Sequence, residues 1–372
     1  MERKLWRNFD YSLLFTAIAI SLIGLIAIRS ATENNITGDP LHFMRRQALW
    51  VGIGITLVFV VLSVDYRHYA RLVPYLYGFS IGLLGLVLVI GRQVHGAQRW
   101  IDLGIFDLQP SELAKIIIII TLAKLLADRE GDFEKLTDLA LPFVFVGLPM
   151  ILIFRQPDLG TSLVFLAILF SMLFMAGAVT RHLVGIVVVG AGVGLPLLWQ
   201  FLKPYQKMRL MVFLNPEIDP MGSGYQLLQS VIAIGAGGPY GYFFRTGELF
   251  QGTQTNLNFL PEQHTDFIFS VLGEEFGFLG CVAVLLLFFY MIYRIIRIAM
   301  EAKDTFGSLM CVGVAAFIMF QVLVNVGMTI SIMPVTGLPL PFMSYGGSAY
   351  LVNMIAIGLV LNVGLRKKKI LF

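Results

Sequence analysis

The sequence predicts an all-α, polytopic membrane protein of about ten transmembrane helices, with one large extracytoplasmic loop between spans 7 and 8. Three observations predict it. Hydrophobic residues fill 57% of the 372 positions and charged residues 13%, with a mean hydropathy of +0.81, outside the range of water-soluble domains. Apolar runs of about the 20 residues that a bilayer-crossing helix needs recur along the chain. Basic residues are distributed unequally between alternate connections, as the positive-inside rule requires. All 372 residues are read as a single integral membrane domain.

The apolar runs place spans at 11–29, 47–64, 72–91, 110–127, 139–154, 160–178, 182–201, 267–296, 306–333 and 346–365. The first run follows Arg3, Lys4 and Arg7 but is too long for a signal-peptide core, so it reads as a span. Ten spans put both termini on one side. That side collects sixteen Lys and Arg in short connections: Arg3, Lys4, Arg7, Arg67, Arg71, Lys124, Arg129, Lys135, Arg181, Arg294, Arg297, Lys303 and Arg366 to Lys369. The opposite side has ten, spread over longer loops, so both termini are assigned to the cytoplasm. A net charge of +4 arranged in this way is a topology signal, not a nucleic-acid footprint. Cys281 and Cys311 lie inside apolar runs and suggest neither a disulfide framework nor a metal site.

The connection at about 202–266 is broken by Pro204, Pro216, Pro220, Gly222, Gly224 and Gly235 to Pro239, so turns and not one long helix organise it. Tyr225, Leu228, Val231 and Ile232 recur at helical spacing and predict a short amphipathic helix in the interface. A second irregular stretch, Met333 to Phe342, is apolar yet holds three prolines. Non-helical backbone at membrane depth needs protein or a wet cavity beside it, so this stretch is expected to line one.

An ionisable group within a span costs about 2.5–3.5 kcal/mol on insertion scales, which makes each one a functional candidate until a structural role accounts for it. Glu112 and Lys115, three apart at the start of the fourth span, read either as a structural ion pair or as a charged wall of a substrate cavity. Asp158 reads as a helix cap or a substrate contact. Arg99, beside Trp100, reads as an interfacial anchor or a phosphate ligand. Ser344 opens a Ser-Tyr-Gly-Gly-Ser turn that suits tight turn chemistry or an anion. The densest cluster runs from Asn258 to Glu275 and holds Glu262, His264 and Asp266. Asp266 or Thr265 can cap the eighth span, or Asp266 can do chemistry. Glu274 and Glu275, about two turns on, are harder to read as caps, and at least one should face the bundle interior or water. The single His264 makes a poor metal site.

Several of these blocks, in order, resemble the shape, elongation, division and sporulation polymerases of bacteria. The blocks are Gly96 to Ile101, Gln109 to Lys115, Gln156 to Ser162, Gly224 to Ser230, Phe259 to Phe269 and Pro339 to Gly347. The resemblance spans essentially the whole chain, and Gly252-Thr-Gln254 leans toward the elongation branch. Tyr240 to Phe250 departs from the family pattern in being longer and more aromatic. The resemblance implies ten spans and glycosyltransferase activity that joins lipid II units at the outer face of the bacterial cytoplasmic membrane. It also implies partnership with a class B penicillin-binding protein and other elongation-complex proteins. By that resemblance Asp266 matches an essential catalytic carboxylate, and Glu112 with Lys115 a functionally important pair.

The chemistry then expected is an inverting displacement. A sugar hydroxyl attacks the anomeric carbon of a lipid pyrophosphate donor while Asp266 accepts its proton, an effect of about 10²–10⁴-fold. A pyrophosphate leaves without an acid, so positive charge beside it matters more: Lys115, Arg99 or a divalent cation such as Mg²⁺ or Mn²⁺. The substrate-binding candidates are Glu112, Lys115, Arg99, Asp158, His264, Glu262 and Ser344. Two rivals share the architecture: a transporter that flips the lipid-linked precursor, and a non-catalytic scaffold of the elongation complex. The cue against transport is the position of the candidate acid beside a large external loop, away from the bilayer midplane.

Overall fold

A computed structural model describes residues 8–33, 39, 41–94, 97–104, 106–129, 133–247, 257 and 259–367, and all but the side chain of residue 195 among them. Arg3, Lys4, Arg7, Lys368, Lys369, Gly96, Asn258, the Gly252 to Gln254 signature and positions 248–250 of the aromatic linker lie outside the described residues.

The apolar runs are helices. In chain order these are α1 (Tyr11–Ala31), α2 (His42–Ser63), α3 (Tyr66–Ile90), α4 (Pro110–Ala127), α5 (Ala140–Arg155), α6 (Leu159–Met175), α7 (Thr180–Val189), α8 (Leu195–Phe201), α12 (Ile268–Met300), α13 (Thr305–Thr329) and α14 (Gly347–Leu365). Among the described residues, seven helical segments are long and apolar enough to cross a membrane: α1, α2, α3, the segment Leu136–Arg155 that contains α5, α12, α13 and α14. α4 and α6 are shorter, and α4 carries Glu112, Lys115 and Lys124. The seventh span is two helices, because Gly190 to Gly194 forms a wide π turn and Pro196 starts α8 without a donor N–H. The third predicted span starts six residues late, since Asp65 caps α3 by accepting from Arg67 N. The ninth ends early, at Thr329.

The bundle is centred on α13 and α14, of which 78% and 83% is buried, against 17% of α3 on the rim. α13 packs on α4, α6 and α12, and α14 lies along α2. Gly54 lets α14 approach α2, since a side chain there would meet Tyr350 and Met354 at 2.8 Å. One end of the bundle is laced by ion pairs among Arg67–Asp304 (2.9 Å), Arg366–Asp65 (3.2 Å), Lys367–Glu301 (2.7 Å) and Arg294–Asp10 (2.5 Å). These pairs gather at that end the connections that the charge count assigned to one side.

The opposite end holds structure that the all-α reading missed. A three-stranded antiparallel sheet, β1 (Arg92–Val94), β2 (Ala97–Asp102) and β3 (Asp107–Leu108), joins α3 to α4. The long loop is mostly helical: α9 (Pro204–Leu214), a 3₁₀ turn Pro216–Ile218, α10 (Ser223–Gly237) and α11 (Gly241–Thr246). The predicted amphipathic helix is α10, but Leu228, Val231 and Ile232 face outward. Its packed face is Gly224, Leu227, Ser230, Ala233 and Gly237, small but for Leu227, and at Gly237 its backbone lies directly on Gly273 of α12. α12 breaks at Gly277 (φ 64°), and the N–H groups freed there donate to the loop: Phe278 to Gly238 O (2.9 Å) and Leu279 to Pro239 O (3.1 Å). A small second core of Leu227, Leu260, Phe267, Met328 and Val335 binds α10, the 259–267 segment, the end of α13 and the proline-rich stretch together.

Candidate active site

Asp266 sits in the segment immediately before α12, pinned from three sides. Asn325 of α13 donates to its carbonyl at 2.9 Å and to Leu338 O at 2.8 Å. Ser344 donates to Thr265 O (2.6 Å) and accepts from Leu340 N (2.8 Å), and Tyr345 N donates to His264 O (2.9 Å). Gln263 anchors the same segment to Ala31 O at 2.6 Å. The backbone is held in the left-handed region at Glu262 (φ 52°) and Phe342 (φ 64°), one residue on each of the two facing segments.

With its backbone fixed, the Asp266 carboxylate remains available. α12 starts at Phe267 with no side-chain cap, so Asp266 is not spent as one. The side chain is partly buried, and that burial pushes its pKa up to about 6. Arg209 on α9 pulls in the opposite direction, Glu262 raises it further, and Arg99 and Asp158 act more weakly with opposite signs. Gly337, in the proline-rich stretch, stands beside it. A Cβ on Gly337 would stand 3.3 Å from Asp266 Oδ2 and 3.7 Å from Arg209 Nη1.

The other predicted residues divide into two groups. Asp158 caps α6 by accepting from Thr161 N (3.1 Å), and it faces Arg99 at 3.6 Å. Arg99 itself is consumed by the backbone, donating to Gln156 O (3.2 Å) and Pro157 O (2.5 Å). Pro157 O also accepts from Tyr205 (3.0 Å) and Gln206 (3.3 Å), which ties β2, the start of α6 and α9 to one carbonyl. His264 packs among Phe43 (ring centroids 5.0 Å) and Tyr345 (5.6 Å), and burial lowers its pKa. Glu262 is exposed and accepts from Thr265 Oγ1 at 3.1 Å. Ser344, read as a substrate or anion contact, is a loop tie whose hydroxyl is committed to two backbone groups.

Glu112 and Lys115 pair at 2.7 Å inside the bundle, with side-chain exposures of 2% and 0%. Lys115 Nζ also stands over the Phe317 ring at 4.8 Å. Glu112 Oε2 is buried with no hydrogen-bond partner among the described residues. Phe317 and Asn325 lie two helical turns apart on α13, so one helix carries both the pair's aromatic contact and the Asp266 tether. Glu274 and Glu275 are both buried, and Glu275 accepts from Ser30 at 2.5 Å. Among the described residues, no three of His, Cys, Asp and Glu converge as a metal cluster.

Residue reading missed Arg209, Asn325 and Gly337. Arg209 was one of ten outer basic residues with nothing to distinguish it, although its spacing from Tyr205 places ring and guanidinium on one helix face, at 5.9 Å. Asn325 was passed over because only ionisable groups were weighed inside spans.

A bundle of apolar helices bearing a tethered, partly buried aspartate at one end, walled by non-helical loops, defines a polytopic membrane protein with a polar site at its surface. The chain belongs to the FtsW, RodA and SpoVE family of cell cycle proteins, whose model matches residues 10–369. It is 40% identical over 363 residues to the peptidoglycan glycosyltransferase MrdB of Escherichia coli, covering 97% of this chain and 95% of that protein. It is 39% identical to stage V sporulation protein E of Bacillus subtilis over 95% and 96% of the two chains. Its fold matches a chain from a structure of a peptidoglycan synthase complex that coordinates polymerization and crosslinking, with a TM-score of 0.82 and 36% identity over 96% and 98%. It also matches the rod shape determining protein RodA of Thermus thermophilus, with a TM-score of 0.72 and 32% identity over 97% and 98%.

Proposed function

We propose that this protein is a peptidoglycan glycosyltransferase that polymerises lipid II at the outer face of the bacterial cytoplasmic membrane, with both termini cytoplasmic. One observation carries the reading: Asp266 is tethered through its backbone, spared from capping, and raised to a pKa of about 6, which suits a base working near neutral pH.

In the reaction, the acceptor 4-hydroxyl oxygen bonds to the donor anomeric carbon as the bond from that carbon to the pyrophosphate oxygen breaks. Asp266 takes the hydroxyl proton, the pyrophosphate leaves with the bonding electrons, and the anomeric centre inverts. Loss of a pyrophosphate needs no second carboxylic acid, unlike the cleavage of a glycosidic bond. A Mg²⁺ or Mn²⁺ ion is the alternative to a basic side chain as the source of positive charge beside the phosphates, although among the described residues no three of His, Cys, Asp and Glu converge to hold one. The partner we propose is a class B penicillin-binding protein within the elongation complex, on the strength of the likeness to a peptidoglycan synthase complex.

The break in α12 at Gly277 and the interrupted seventh span favour a lipid II transporter as the second reading. Purified protein supplied with lipid II, with and without Asp266→Asn and with and without a chelator, separates the readings. Glycan strands from the wild type alone support the enzyme, whereas normal polymer from Asp266→Asn refutes the general base. A wild type that makes no strands leaves the transporter or the scaffold.

A further inference from the structure

The polymerase reading calls for positive charge beside the leaving pyrophosphate, and the two basic residues the sequence offered are both occupied. Lys115 is fully buried, paired with Glu112 and covered by Phe317, so a phosphate arriving from outside does not reach it. Arg99 spends its guanidinium on Gln156 O, Pro157 O and Asp158. Removing it from those acceptors would loosen the junction of β2, α6 and α9.

Arg209 differs from both. It is partly exposed on α9, and its guanidinium lies over the Tyr205 ring, 5.9 Å from the centroid. Among the described residues it forms no ion pair within 4.0 Å, although its charge is the largest electrostatic influence on Asp266. A cation–π contact of this kind leaves the guanidinium N–H edges free for two parallel bonds to a phosphate. Tyr205 is itself held by its bond to Pro157 O, so the platform beneath Arg209 is rigid. The position of Gly337 completes the geometry. At φ 74° it supplies backbone with no side chain, and the space its Cβ would fill touches Asp266 Oδ2 on one side and Arg209 Nη1 on the other. A carboxylate and a guanidinium therefore flank one narrow gap beside Gly337 without forming an ion pair with each other.

We propose that Arg209 grips the pyrophosphate of the lipid-linked donor across the Gly337 gap from Asp266. This inference rests on the polymerase reading for the identity of its ligand. Both groups then reach the reacting end of the donor, the carboxylate meeting the attacking hydroxyl and the guanidinium the leaving pyrophosphate. A phospholipid headgroup offers the same phosphate chemistry from a second source, so the test must separate the two.

The test uses the full chain in detergent, with equilibrium binding of a farnesyl pyrophosphate-linked disaccharide as the probe and phosphatidylglycerol as competitor. Arg209→Gln is expected to weaken binding about tenfold or more, the effect of losing charge-assisted hydrogen bonds. Arg209→Lys is expected to recover part of it, since charge returns without the fork. Asp266→Asn should bind the probe while making no polymer. The thermal midpoint of Arg209→Gln should match the wild type, because the side chain holds no buried partner. Unchanged probe affinity in Arg209→Gln overturns the proposal, as does displacement of the probe by phosphatidylglycerol at equal concentration. Arg209-dependent probe binding by a wild type that makes no polymer would refute the enzymatic reading and leave the pyrophosphate site standing.

Discussion

The side-chain amide of Asn325 donates to the backbone carbonyl of Asp266 at 2.9 Å, joining the centre of the helical bundle to the segment that carries the acid. The same nitrogen donates to Leu338 O at 2.8 Å, next to Gly337. One buried amide thus sets the distance between the carboxylate and the wall opposite it.

Asn325→Leu should therefore leave two buried carbonyls without their donor, at a cost of about 1–3 kcal/mol of stability. Because Asp266 then drifts relative to Gly337, polymer output should fall by much more than stability. Glycan synthesis measured beside the thermal midpoint checks this, and a proportional decline in both would reduce Asn325 to a packing role.

Activity should rise with pH through about 6, as the Asp266 carboxyl loses its proton, and level off above it. The stability consequence has the opposite sign. A carboxyl whose folded pKa lies above its ordinary 3.8 favours folding most when protonated, and that contribution is lost as pH rises through about 6. Asp266→Asn should consequently be more stable than the wild type at pH 8, by about 1–3 kcal/mol, with the gap closing below pH 4. Thermal unfolding of both proteins across that range decides it.

Breaking the buried pair on one side only, by Glu112→Gln or Lys115→Met, should cost about 3–5 kcal/mol, because the remaining charge is stranded. Joint replacement of both by uncharged residues should cost less than either single change. A double-mutant cycle on stability, run beside polymerisation, tests this: a stable but inactive double variant would show that the pair serves activity beyond holding the helices.

Gly337→Ala puts a methyl group between Asp266 and Arg209 at a positive φ that alanine adopts with strain. We expect a loss of polymerisation of at least tenfold, an order of magnitude consistent with misplacement of reacting groups. The fold should survive, since the methyl meets only the ends of two side chains. Full activity in this variant would mean that the gap does not receive substrate.

How much of this was legible in the residues differs between bundle and site. The helices were, because insertion into lipid imposes length and apolarity on each segment separately, and the charged connections carried sidedness without reference to any partner segment. The small sheet was not, because Arg92 to Leu108 is short and only antiparallel pairing gives it strand character. α10 was foreseen, yet its inner face was misread: Gly224 and Gly237 pack by close backbone approach, which carries no hydropathy signal.

Within the site, sequence alone singled out Asp266, Glu112 with Lys115, and Asp158 as polar groups in costly positions. It left each of them with two roles. Which role applies depends on partners 58 to 202 residues away along the chain: Asn325 and Ser344 for the Asp266 segment, Phe317 for Lys115, Pro157 O for Arg99. A helix cap, an ion pair and a general base are the same carboxylate until the fold decides which donors stand within reach. Only tertiary packing settles that, because hydrogen bonds and desolvation act over a few ångströms of space and are blind to separation along the chain.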